Sequence, residues 1–229
     1  MVGINSPQSG RSAIPEFATE IAVLVVSIGL FSFIWLTDQV TNGGTASFDR
    51  QILLIFRAPG DFADPIGPAW LEVVVRDITA LGGLAVLTII PLAACGYLLL
   101  QRRTKLALFI LLSVSGGSLL NTLLKGFIER PRPDIVTHAT AAGMSSFPSG
   151  HTMMAAIVFL TVGALLAHAS ESKAIKLYIL GWSVLLAALV GLSRIYLGVH
   201  WPTDIIAGWI AGAVWALSCL LASYWFMDR

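Results

Sequence analysis

The sequence predicts an all-α, polytopic membrane bundle of six transmembrane helices, with short interfacial helices in its first outer connection. Three observations carry that expectation. Of 229 residues, 56% are hydrophobic and only 12% charged, with a mean hydropathy of +0.82. Soluble domains carry about 25% charged residues, so this chain has too few to cover a globule. Its apolar residues collect in runs near the ~20 needed to cross a bilayer as a helix. Such runs must be helical in lipid, where each backbone N–H and C=O has to be satisfied within the segment. The net charge of +1 provides no basic footprint and excludes a nucleic-acid partner.

The six spans run from Phe17 to Thr37, Ala80 to Leu100, Lys105 to Leu124, Thr152 to His168, Ala174 to Gly191 and Ile205 to Phe226. The first has only Arg11 ahead of it and no small-residue cleavage site behind it, and so reads as an uncleaved helix. Pro91 removes a hydrogen bond inside the second span and predicts a kink there. The first connection, Asp38 to Thr79, is too long for a turn. Phe48, Ile52, Ile55, Phe56 and Pro59 follow helical spacing in it, with Asp49, Arg50 and Arg57 on the other side. After Pro68, a good first helical residue, Trp70, Val74, Ile78 and Leu81 form a second stripe. Both fit short amphipathic helices at the interface, placed to line a lateral entry or simply to pack on the bundle. Cys95 and Cys219 sit inside apolar runs and read as small buried hydrophobes, too few for a zinc site or a disulfide framework.

Orientation follows from Lys and Arg in the connections. Seven lie on each side of the predicted bundle, but three on the outer side, Lys125, Arg132 and Arg194, belong to a site. Without them the excess falls on the side of Arg102, Arg103, Lys105, Lys173 and Lys176, which is shared with both termini. Both termini are therefore expected in the cytoplasm and the site on the extracytoplasmic face.

Charged residues at span ends usually mark only the water interface. Here three segments resist that account. Lys125 to Pro133 closes the third span, Phe147 to His151 opens the fourth, and Ser193 to Asp204 joins the fifth to the sixth. Alternating topology brings all three to one face. An ionisable group at membrane depth costs about 2.5–3.5 kcal/mol on insertion scales, so a cluster of them signals function. Lys125, Arg132 and Arg194 supply three positive charges, and an arginine fork grips two phosphate oxygens at once. Ser149-Gly150-His151 before an apolar run reads as a helix N-terminus, whose unpaired N–H groups and dipole favour an anion; glycine at 150 permits close backbone approach. His200 and Asp204 are four apart. If Asp204 opens the sixth helix, its carboxylate reaches back to the imidazole N–H and leaves the other nitrogen free to attack phosphorus. His151, on another helix, would protonate the departing oxygen. His138 and His168 lack such company and read as a loop and an interfacial residue.

These segments resemble the signature of the type 2 phosphatidic acid phosphatase family, shared with bacterial acid phosphatases and vanadium haloperoxidases. Its pattern is a lysine, six residues and Arg-Pro; then Pro-Ser-Gly-His; then Ser-Arg, five residues, His, three residues and Asp. Lys125 with Arg132-Pro133, Pro148 to His151, and Ser193-Arg194 with His200 and Asp204 meet it without departure. The resemblance implies a covalent phosphohistidine on His200, Asp204 as its partner and His151 as general acid. It also implies phosphate binding by Lys125, Arg132, Ser149, Gly150 and Arg194, with no cofactor and no metal ion. It further implies one phosphatase domain over residues 1–229, embedded in the cell membrane and acting on a membrane lipid phosphate. Relatives that look like this handle undecaprenyl diphosphate, phosphatidylglycerol phosphate, phosphatidic acid or lipid A 1-phosphate. The motifs do not separate them, because mono- and diphosphates present the same terminal group; nor do they specify an oligomeric state. A transporter or channel would need ionisable residues at mid-span, which the second, fourth and sixth spans lack. A haloperoxidase would use the same pocket for vanadate, a poor match to a six-span membrane setting.

Overall fold

The computed structural model describes residues 16–134 and 145–227. Its order is α1 (Glu16–Thr41), α2 (Ala46–Ile55), β1 (Arg57–Ala58), β2 (Asp61–Pro65), α3 (Ala69–Ala80), α4 (Leu84–Leu100), α5 (Thr104–Phe127), α6 (Gly150–His168), α7 (Lys173–Tyr196) and α8 (Pro202–Met227). Helices α1, α5, α6, α7 and α8 are each long and apolar enough to cross a membrane. The sixth crossing is less regular. Helix α4 has 17 residues, about 26 Å at 1.5 Å per residue, short of a ~30 Å hydrocarbon core. It meets the criterion only together with α3, and the pair is bent by 44°.

That bend lies ahead of Pro91. Pro91 lies inside α4, which continues through it, while the break falls at residues 81–83. The chain crosses α7 closely at this break: a Cβ on Gly82 would lie 2.4 Å from Val190 Cγ1. The two stripes form α2 and α3 in part. Helix α2 ends at Ile55, leaving Phe56 as its C-cap and Pro59 outside; α3 starts after Pro68 at its N-cap and ends at Ala80, with Leu81 its C-cap. Between them, Pro59-Gly60 turns the chain into a small antiparallel ribbon, Gly60 taking φ +91°. No apolar alternation in residues 57–65 marks this ribbon in the sequence.

Helix α6 sits at the centre, against α4, α5, α7 and α8, with α1 outside α8 and α3 on α7. Small residues allow these approaches, as they do where lipid offers helices no hydrophobic drive to associate. Gly208 and Gly212 let α8 lie directly on α6: a Cβ at 212 would meet Met153 O at 2.6 Å, and one at 208 would meet Ser149 O at 3.0 Å. Indole hydrogen bonds tie the bundle laterally, from Trp215 Nε1 to Ser113 O at 2.8 Å and from Trp209 Nε1 to Ala187 O at 2.9 Å. The α6–α8 contact matters most, because both helices start at the same end and bring their first turns together.

Candidate active site

The first turn of α8 builds one half of the site. Gly198, at φ +70°, closes α7, with its N–H on Ile195 O and that of Val199 on Arg194 O. This left-handed closure is the glycine C-terminal stop common to helices. It turns the chain so that His200 precedes Trp201, whose carbonyl accepts from Asp204 N at 3.0 Å. The Asp204 carboxylate reaches back, Oδ2 accepting from Trp201 N at 3.0 Å, in the manner of a capping box. The same oxygen lies 3.2 Å from His200 Nδ1. Helix capping and histidine orientation therefore share one carboxylate.

The second half is the first turn of α6. Ser149 is the N-cap, and its N–H donates to Asp204 O at 3.0 Å, locking the two helix starts together. A Cβ on Gly150 would lie 3.1 Å from Asn121 Nδ2 and in ordinary contact, 3.6 Å, with Lys125 Cε, so glycine leaves room for the Asn121 amide beside the lysine. Lys125 Nζ donates to Ser145 O at 3.3 Å. Arg132 Nη1 donates to Val199 O at 2.9 Å and lies 3.2 Å from His200 Nε2. Arg194 Nη1 donates to Thr79 Oγ1 at 3.2 Å. The Nε groups of Arg132 and Arg194 are buried with no partner among the described residues. His151 is within electrostatic reach of Arg194, His200, Lys125 and Arg132. All eight residues singled out from sequence thus converge. His138 lies outside the described residues, and His168 ends α6 far from this cluster in the chain.

His200 is 1% exposed. Burial pushes its pKa down to about 4, against the opposing pull of Asp204 and with help from Arg194 and Arg132. The ring is neutral at physiological pH, with Nδ1–H donating to Asp204 and Nε2 turned to Arg132. Around it the sequence motifs left out several groups. Arg130 donates from Nη1 to Asp204 Oδ1 at 2.6 Å and to Thr203 Oγ1 at 2.8 Å, and from Nη2 to Asp49 Oδ2 at 2.6 Å. Its guanidinium also lies 5.6 Å from the Trp201 ring centroid. Ser145 Oγ accepts from Arg130 N and Phe147 N, both at 3.3 Å, and donates to Ile128 O. This pins the lysine–arginine segment to the serine–histidine one. Only Arg130 carried a hint, as a third arginine beside Pro131-Arg132.

A cavity of about 380 Å³ runs from Gly150 and His151 past Asn121 and Ser118, between α4 and α5, to apolar walls that include Leu87, Leu92 and Leu111. None of the residues lining this cavity comes from positions 38–79, while the outer connection meets the site through Thr79, whose Oγ1 accepts from Arg194. A larger cavity, about 780 Å³, lies at the opposite ends of α5 and α6 beside Arg102, Arg103 and Lys105, and holds none of the candidate site residues. No group of three or more His, Cys, Asp or Glu among the described residues is disposed to hold a metal ion.

Residues 106–228 match the PAP2 superfamily model. Phosphatidylglycerophosphatase B of Bacillus subtilis is 38% identical over 195 residues, covering 82% of this chain and 88% of that protein. An undecaprenyl-diphosphatase of Sulfolobus acidocaldarius is 41% identical over 68 residues, 30% of this chain and 29% of its own. Among solved structures, the first transmembrane PAP2 type phosphatidylglycerolphosphate phosphatase from Bacillus subtilis superposes with a TM-score of 0.74 at 28% identity. It covers 89% of this chain and 97% of its own.

The histidine environment gives a measurable consequence. A folded pKa of about 4 lies below the ordinary histidine value near 6.5. The unfolded chain therefore takes up a proton between those values that the folded one refuses, and His200 destabilises the fold as pH falls through this window. Nitrogen-resolved imidazole NMR in detergent should show His200 as the Nδ1–H tautomer with no titration above about pH 5. A midpoint near 6.5 would contradict the described burial.

Proposed function

The chain belongs to the PAP2 superfamily and is a membrane lipid phosphatase, and we propose that it removes the terminal phosphate of a lipid phosphate or diphosphate through a phosphohistidine on His200, without a metal ion. The observation that carries this is the tautomer lock: Asp204 holds Nδ1–H at 3.2 Å while Nε2 looks toward the guanidinium of Arg132. Phosphoryl transfer asks a protein mainly for positioning and charge stabilisation. Lys125, Arg132 and Arg194, with the N–H groups at the start of α6 and the Ser149 hydroxyl, would take the non-bridging oxygens. A phosphate oxygen then replaces Nε2 as the partner of Arg132, freeing the lone pair.

In the first step Nε2 forms a bond to phosphorus as the lipid oxygen leaves, and His151 gives that oxygen its proton. In the second a water loses its proton to His151 and its oxygen attacks phosphorus, the P–Nε2 bond breaks with its electron pair returning to Nε2, and inorganic phosphate leaves the regenerated His200. Asp204 stabilises the positive imidazole in between. The cavity reaching from His151 between α4 and α5 supports a substrate whose apolar tail lies against the helices while its headgroup enters the basic cluster. Phosphatidylglycerol phosphate is the first substrate to assay, given the phosphatidylglycerophosphatase relative that is 38% identical over 82% of this chain. The basic connections on the far side support an extracytoplasmic site with both termini in the cytoplasm.

His200→Ala should abolish phosphate release, with wild-type activity persisting in EDTA. His151→Ala should cost about 10²–10⁴-fold on a lipid phosphate, the usual worth of a general acid, but much less on nitrophenyl phosphate, whose leaving group needs no proton. Equal losses on both substrates would remove that assignment, and loss in EDTA with rescue by magnesium would remove metal independence. Sidedness is tested in a background lacking Cys95 and Cys219. An impermeant thiol reagent on intact cells should label Asn42→Cys and spare Thr104→Cys; the opposite pattern would invert the topology.

A further inference from the structure

Asp49 belongs to none of the three motifs, yet it is fully buried and its carboxylate bonds both the start of α8 and Arg130. Its Oδ1 accepts from Thr203 N at 2.9 Å, and its Oδ2 from Thr203 Oγ1 at 2.7 Å and Arg130 Nη2 at 2.6 Å. Thr203 is the second residue of α8, so Asp49 caps this helix from another helix, next to the residue that carries the catalytic carboxylate. An anionic oxygen on a first-turn N–H also meets the positive end of the helix dipole.

Arg130 is the second link. Its fork bridges two carboxylates, Asp49 on one side and Asp204 on the other, each at 2.6 Å. With one edge fixed by Asp49, the other meets Thr203 Oγ1 and Asp204 Oδ1, which leaves Oδ2 for His200 Nδ1 and Trp201 N. Were Asp49 neutral, the guanidinium would be free to swing and to spend its whole charge on Asp204. That would weaken the hold of Asp204 on the imidazole. It would weaken it most once the ring carries positive charge. Helix α2 is suited to this duty: Phe48 and Ile55 are exposed on it while Asp49 and Leu53 are buried.

We propose that Asp49 is a positioning residue of this site, acting through Arg130 and Thr203 to fix the orientation of Asp204 and so of His200. The inference rests on His200 being the nucleophile, and His200→Ala is measured alongside to keep the two apart.

The experiment uses the full-length enzyme in detergent, with dioctanoyl phosphatidic acid as substrate. Asp49→Asn should lower kcat roughly 10- to 100-fold, the scale of a misplaced catalytic group, with KM changed less than about threefold. Arg50→Gln, an exposed neighbour on α2, should leave both unchanged. In a double-mutant cycle with Arg130→Gln, the Asp49 effect should shrink to less than about twofold, since coupled residues do not add. An unchanged kcat in folded Asp49→Asn would overturn the proposal, and so would independent, multiplying losses in the cycle. Should Asp49→Asn fail to fold, Thr203→Val removes only the hydroxyl link; it should lower kcat at constant KM, and an unaltered kcat overturns the proposal equally. If His200→Ala retains activity, the phosphohistidine assignment falls first, whatever Asp49 does.

Discussion

A single buried carboxylate organises this molecule. Asp204 is fully buried, and an unpaired charge there would cost several kcal/mol. Both its oxygens are paired: Arg130 on Oδ1, His200 and Trp201 N on Oδ2. Its backbone carbonyl takes the N–H of Ser149. One residue thus caps α8, orients the histidine, anchors the arginine and ties the start of α6 to the start of α8. The glycine contact between those two helices is what allows it, since a side chain at 208 would press on Ser149 O.

Much of this was legible in the sequence, for physical reasons that can be named. Membrane spans declare themselves because lipid demands long uninterrupted apolar runs. The site declared itself because ionisable residues are expensive near a bilayer, so Lys125, Arg132, His151, Arg194, His200 and Asp204 stood out against their surroundings. Ser149 at the N-cap and Gly150 at a close approach were readable from residue type alone.

What escaped lies where periodicity is blind. Asp49 and Arg57 fell on the polar side of an amphipathic stripe, which in sequence means water. Only Arg50 is exposed there; Asp49 is buried against Thr203 and Arg130, and Arg57 is buried with its guanidinium donating to Tyr196 O. A polar partner inside the protein and solvent outside leave the same helical pattern. Arg130 hid within the six variable residues of a motif, where spacing carries no information. Likewise the bend at residues 81–83 lies where Gly82 approaches α7 closely, a contact that local sequence rules do not single out.

The arrangement of donors makes the covalent step the claim on which the rest depends. The direct measurement is a rapid-quench trap with radiolabelled lipid phosphate, followed by peptide mapping. The account predicts a phosphoenzyme that survives alkali, is lost in acid, maps to His200 and is absent from His200→Ala. Turnover with label on another residue, or burst-resolved turnover with no labelled protein, would contradict it.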